Sequence, residues 1–166
     1  MHAQSSSGIA DERRTVLVVE DDLRIRLQLA HCLRADGYAV VEAGTADQAV
    51  RILAADRRIG CVFSDVQMPG ALSGADLARW VMLNRPGLGV ILASGGLREE
   101  QVVASLEGEV PFLAKPFRYA RVRDLLDMIF GEPRARIDCE VKEGSVTDVQ
   151  ALPAKRSEHS WECTTP

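Results

Sequence analysis

Short apolar runs alternate along this chain with stretches in which apolar residues recur at helical spacing. Thr15 to Val19 is a β-branched run, and from Asp22 onward Ile25, Leu29, Cys32 and Leu33 share one helical face. Gly37 is placed to stop that helix as a left-handed cap. Tyr38 to Val41 reads as a second strand, and Thr45 caps a helix carrying Ala46, Ala49, Val50 and Leu53. The unit then recurs: Ile59 to Ser64 is a strand, Ser73 opens a helix through Leu77, Trp80 and Val81, and Gly89 to Ala93 is another strand. Gly95-Gly96 turns the chain into a weaker helix over Arg98 to Leu106, Pro111 to Ala114 forms a short last strand, and Tyr119 to Phe130 is an amphipathic helix through Val122, Leu125, Leu126 and Ile129.

Five strand-then-helix units with short apolar strands call for a parallel sheet covered on both faces by right-handed crossovers. The expected fold is a three-layer α/β/α sandwich, (βα)5, with a five-stranded parallel sheet. A closed eight-stranded barrel needs a much longer chain than these 166 residues. The ends differ in composition. Met1 to Arg14 is polar and Ser-rich, and Glu132 to Pro166 carries mixed charge with Pro133 and Pro153, so both are expected as disordered tails around a domain at 15–131. Within the second tail, Ile137, Cys139 and Val141 alternate before Glu143-Gly144-Ser145, the pattern of a marginal hairpin.

Composition narrows the function. With 46% hydrophobic residues the chain can build one ordinary core, and its net charge of -4 lacks the basic footprint of a nucleic-acid binder, so no DNA partner is expected. No apolar stretch is long enough to span a bilayer, and the first residues lack the apolar core of a signal peptide, which implies a cytoplasmic protein without a membrane partner. Cys32, Cys61, Cys139 and Cys163 form no C-x-x-C pair, so reduced thiols are expected, two of them packed in the fold.

Chemistry concentrates at strand ends. Glu20-Asp21-Asp22 follows the first apolar run, Asp65 closes the third and Lys115-Pro116 the last. Ligand sites in open α/β sheets lie outside the carboxyl ends of the strands, so these residues converge on one mouth. Like carboxylates raise one another's pKa, and such a cluster persists best around a cation; Mg2+, a hard ion taking carboxylates, waters and phosphate oxygens, is the natural choice. Any one of these acids could simply be solvated at the start of a loop, and an isolated lysine is ordinarily a surface residue. Their joint placement is what suggests a site, to which Ser94 at the end of the fourth strand can add a hydroxyl donor.

The runs Val16-Leu17-Val18-Val19-Glu20-Asp21-Asp22, Ser64-Asp65-Val66-Gln67-Met68-Pro69-Gly70, Ala93-Ser94-Gly95 and Lys115-Pro116-Phe117 resemble the receiver domain of two-component response regulators. Four motifs in the right order and spacing are specific, and the resemblance covers about Thr15 to Gly131. It implies the flavodoxin-like receiver topology. It also implies Asp65 as phospho-acceptor, Asp21 and Asp65 as Mg2+ carboxylates, the backbone carbonyl of Gln67 as a further ligand and Glu20 acting through water. Lys115 becomes the phosphoryl partner, preceding a cis bond to Pro116, with Ser94 and Phe112 as the switch pair. The implied partners are a sensor histidine kinase or histidine phosphotransfer protein and an unidentified downstream protein, with homodimerisation left open.

Two departures from the family pattern stand out. The loop from Pro69 to Gly74 is about one residue longer than usual, which puts the path into the following helix in question, and Gly96 offers no side chain to shield the site. Competing readings are a receiver fragment of a hybrid kinase or multidomain regulator and an aspartyl-phosphate phosphatase. The latter commonly carries a second Asp two positions after its nucleophile, where this chain has Gln67.

Overall fold

The computed structural model describes residues 14–96, 106 and 110–131. Its elements are β1 (Thr15–Val19), α1 (Leu23–Ala35), β2 (Ala39–Ala43), α2 (Ala46–Ala55), β3 (Ile59–Asp65), α3 (Gly74–Asn84), β4 (Gly89–Ser94), β5 (Phe112–Ala114) and α4 (Tyr119–Phe130). The strands form one parallel sheet in the order β2-β1-β3-β4-β5.

The apolar strands are covered on both faces, as their composition requires. Val16 and Val18 face one core with Leu29, Leu33, Phe63, Tyr119, Val122 and Leu126, so α1 and α4 cover that side. The intervening Leu17 and Val19 face a second core with Ala46, Leu53, Leu77, Ala78 and Val81, which places α2 and α3 opposite. Three layers result. The order 2-1-3-4-5 means that the chain winds outward in opposite directions from β1 and β3, and the crevice between their carboxyl ends is the switch point where such sheets bind ligands.

Local signals fix the boundaries. Asp22 caps α1 by accepting from Arg24 N and Ile25 N, and Gly37 at φ 81° ends that helix in the left-handed conformation. Thr45 accepts from Gln48 N at the start of α2. Ser73 and Asp76 form a reciprocal capping box on α3, so the extended loop enters this helix with a strong start signal. Boundaries expected for β2 and β3 shift slightly: β2 runs to Ala43, and β3 takes in Asp65 itself.

The helix expected over Arg98 to Leu106 and the C-terminal hairpin lie outside the described residues, apart from Leu106, which is buried in the second core. The expected tails lie outside them too, apart from Arg14, whose carbonyl accepts from Ala39 N at 3.2 Å. Cys61 is a free, fully buried thiol whose ionisation burial pushes up. Cys32 is buried in the first core.

Candidate functional site

Strand register carries the acidic residues to one edge. Val19 pairs with Ser64, and Asp65 with Ala93, so Glu20-Asp21 and Asp65 emerge side by side from β1 and β3. Ser94 pairs with Ala114, which sets Lys115 at the same edge, and Lys115 N donates to Ser94 O at 2.7 Å. The Lys115–Pro116 peptide bond is cis.

The side chains converge. Lys115 Nζ donates to Asp65 Oδ2 at 2.8 Å and to Glu20 Oε2 at 3.0 Å, with only 5% of its side chain exposed. Asp65 Oδ1 accepts from Gln67 N at 3.2 Å, and Glu20 Oε1 from Asp22 N at 3.3 Å. Glu20, Asp21 and Asp65 each offer a carboxylate oxygen within 4.8 Å of the others. Glu20 and Asp65 are buried while Asp21 is exposed, so the cluster opens to solvent on one side. An open groove of about 550 Å³ begins there, lined by Asp21, Val66, Gln67, Met68, Pro69 and Ser73.

Electrostatics explains why the lysine lies between two acids. Burial, only partly offset by Lys115, and the charge of Asp65 lift the Glu20 carboxyl to about 7. Burial would lower the Lys115 ammonium, but the hydrogen bond and charge of Asp65, joined by Glu20, outweigh it and hold Lys115 above its ordinary value. Three carboxyl groups face a single ammonium, and every donor among them is a hard oxygen. The donor set therefore fits Mg2+.

Ser94 is buried at the end of β4, where its Oγ accepts from Gly96 N at 3.2 Å. Phe112 is half-buried against the second core. Two positioning features were not singled out from the sequence. Gly74 lies against the acceptor strand: a Cβ there would lie 1.9 Å from Asp65 O, and Gly74 N donates to Val66 O at 3.0 Å. A glycine directly after a helix cap was the available signal. Arg26 of α1 donates to Glu20 O and, at 3.4 Å, to Asp21 O. Its signal was a charged residue beside the apolar stripe of α1.

A parallel 2-1-3-4-5 sheet with a carboxylate trio and one lysine at the switch point defines a phosphoryl-handling signalling domain. The family model described as the response regulator receiver domain matches residues 16–127, and the chain belongs to that family. It is 32% identical to the response regulator protein FleR of Pseudomonas aeruginosa over 79% of this chain and 27% of that protein. To the transcriptional regulatory protein PdtaR of Mycobacterium tuberculosis it is 36% identical over 70% of this chain and 55% of that one. The chain thus spans about half the length, or less, of these curated relatives. Among solved structures, a response regulator receiver protein from Pseudomonas putida superposes with a TM-score of 0.63 at 34% identity, covering 70% of this chain and 97% of that one. The signal receiver domain of a histidine kinase from Syntrophus aciditrophicus superposes with a TM-score of 0.65 at 26% identity, covering 70% and 89%.

Proposed function

We propose that Asp65 accepts a phosphoryl group from a phosphohistidine of a sensor histidine kinase or histidine phosphotransfer protein. The observation that carries this reading is the Lys115 ammonium bridging Asp65 Oδ2 and Glu20 Oε2 beside the open carboxylate of Asp21. A carboxylate oxygen of Asp65 forms the new O–P bond as the P–N bond to the donor imidazole breaks, and the bonding pair returns to the imidazole nitrogen. Lys115 then holds a phosphoryl oxygen as a point charge in place of one of its acids. Asp21, Asp65 and the carbonyl of Gln67 would hold Mg2+, with Glu20 acting through water, and the ion would supply positive charge against the phosphoryl oxygens. Gln67 N, already donating to Asp65 Oδ1, fixes the carboxylate for in-line attack.

Leu23 and Leu27 lie one helical turn apart on α1 and are 55% and 50% exposed. Their exposure leaves apolar ground at the start of α1 for a phosphoryl-donor protein. Such donors are charged from ATP, so the domain works in the cytoplasm. It is a switch that catalyses its own modification and hydrolysis, without turnover of a separate substrate. Output follows when the Ser94 hydroxyl, whose Oγ accepts from Gly96 N, turns to donate its proton to a phosphoryl oxygen and the half-buried Phe112 turns inward, remodelling the surface near β5 and α4 for a downstream protein or a second copy. The short coverage of the relatives favours a second arrangement for the same site, with the receiver acting as one module of a longer regulator or hybrid kinase.

Acetyl phosphate with Mg2+ tests the assignment. One acid-labile phosphoryl group should map to Asp65, and Asp65→Asn should abolish it. Undiminished labelling of Asp65→Asn rejects the reading.

A further inference from the structure

The acids of the mouth are supplied by a short piece of backbone between β1 and α1, and something must hold that backbone while three carboxylates repel one another. Glu20 N is tied to Ala43 O at 3.1 Å, and Asp22 is committed to capping α1. The carbonyls of Glu20 and Asp21 are gripped from below by Arg26 Nη1. This guanidinium is itself fixed. Its Nε lies 3.7 Å from Glu42 Oε2 on β2, and Glu42 Oε1 also accepts from Arg34 Nη2 at 2.9 Å. Gly44 lies against the same guanidinium: a Cβ added there would meet Nη1 at 3.6 Å, an ordinary van der Waals contact. Arg26 thus joins the acid-bearing loop, the edge strand β2 and the turn into α2.

We propose that Arg26 is a positioning residue for the divalent-metal site: by holding the carbonyls of Glu20 and Asp21 it presets both carboxylates for the ion. The inference rests on the proposed role of the carboxylate trio. A planar fork suits this task, because its donors sit on separate nitrogens: Nη1 holds the two carbonyls while Nε faces the Glu42 carboxylate. Groups that orient metal ligands without touching the metal commonly control affinity.

Charge and geometry predict opposite outcomes, which makes the test sharp. If Arg26 acted only as a nearby positive charge, its removal would tighten Mg2+ by relieving repulsion. If it acts by positioning, removal weakens Mg2+. The full chain, Arg26→Lys and Arg26→Met are titrated with MgCl2 and followed by the amide shifts of Asp21 and Gln67, with thermal midpoints measured in chelator. Arg26→Met should lose about tenfold in Mg2+ affinity. Arg26→Lys, which keeps the charge and loses the fork, should fall between it and the parent. Should Arg26→Met not fold, Arg26→Lys carries the test alone. Equal or tighter Mg2+ binding by either folded variant overturns the proposal. A parent chain that binds no Mg2+ overturns this inference and the reading of the metal site together, whereas normal parent binding matched by Arg26→Lys removes this inference alone.

Discussion

Lys115 and Arg85 are two cations that reach far along the sequence, and they sit at opposite ends of the same sheet. Lys115, beyond β5, contacts two carboxylates. Arg85, just after α3, contacts only carbonyls: its Nη1 donates to Leu53 O at 2.7 Å and Asp56 O at 3.2 Å, and its Nη2 to Arg57 O at 3.3 Å and Ile59 O at 3.4 Å. The carbonyl partners are neutral dipoles: Leu53 O and Asp56 O at the carboxyl end of α2, where orphan acceptors and the helix dipole both favour a cation, and Arg57 O and Ile59 O on the way into β3. Nothing in that arrangement has reason to change. At the mouth, by contrast, the acids are charged, and one of them is the group that a phosphoryl transfer would modify. A cation held by exchangeable anions suits a switch, and one held by fixed backbone dipoles suits a clamp.

The comparison breaks most readily at Lys115. Replacing Lys115 by Ala should slow phosphotransfer from acetyl phosphate by about a hundredfold, the usual effect of deleting one donor to developing charge. The variant should also be less stable in chelator than in Mg2+, because removing the lysine leaves Glu20 and Asp65 as buried acids without their partner. Thermal melts in both buffers check this. Phosphotransfer at the parent rate would make Lys115 another clamp.

Gly74→Ala tests the backbone next to the acceptor. Its added carbon would overlap Asp65 O, so the start of α3 must move away, at a cost of about 2 to 3 kcal/mol in denaturant unfolding. Labelling of Asp65 should slow as well, since the shifted carbonyl belongs to the acceptor residue. Arg85→Met should cost about 2 kcal/mol through its lost charge-assisted bonds and leave the rate of labelling unchanged. A slowed rate in that variant would dissolve the contrast between the two ends.

Most of the fold was legible because strand and helix periods are plain in the apolar pattern; Tyr119–Phe130, for instance, forms the expected helix. Convergence at the mouth was also readable, since Asp21 and Lys115 come just after strands, Asp65 ends one, and parallel strands share one carboxyl edge. Arg26 and Arg85 were not readable. Arg85 and the fork of Arg26 hydrogen-bond to backbone carbonyls, which every residue possesses, so no pairing of residue types marks those contacts. Gly74 read as the end of a loop, because its reason is a close approach between α3 and β3 that exists only after folding. The same holds for Tyr119, whose hydroxyl donates to Asp36 Oδ2 at 2.7 Å with Cys32 O 3.2 Å away, tying α4 to the end of α1. In the sequence, Tyr119 is only the first residue of an amphipathic stretch.

The smallest expected effect concerns the capping box of α3. Ser73→Ala should cost about 1 kcal/mol. Hydrogen bonds from Ser73, ahead of the attraction of Arg79, hold the Asp76 carboxyl below its ordinary value of 3.8. A depressed pKa contributes stability that is complete above the unfolded value and is lost as pH falls through the folded one. The stability gap between the parent and Asp76→Asn should therefore be constant near neutrality and shrink below about pH 4, as paired urea melts would show. A gap that persists unchanged at pH 2 would remove the carboxylate from the cap.

Beryllofluoride stands in for the phosphoryl group, and its titration into the Mg2+-loaded protein, followed by amide NMR, addresses the central claim directly. Saturable shifts should centre on Asp65, Gln67, Ser94 and Lys115, while Leu53, Arg57 and Arg85 at the opposite end stay in place. Absence of saturable binding, or shifts centred on the Arg85 end, would contradict the assignment of the acidic mouth as the phosphoryl site.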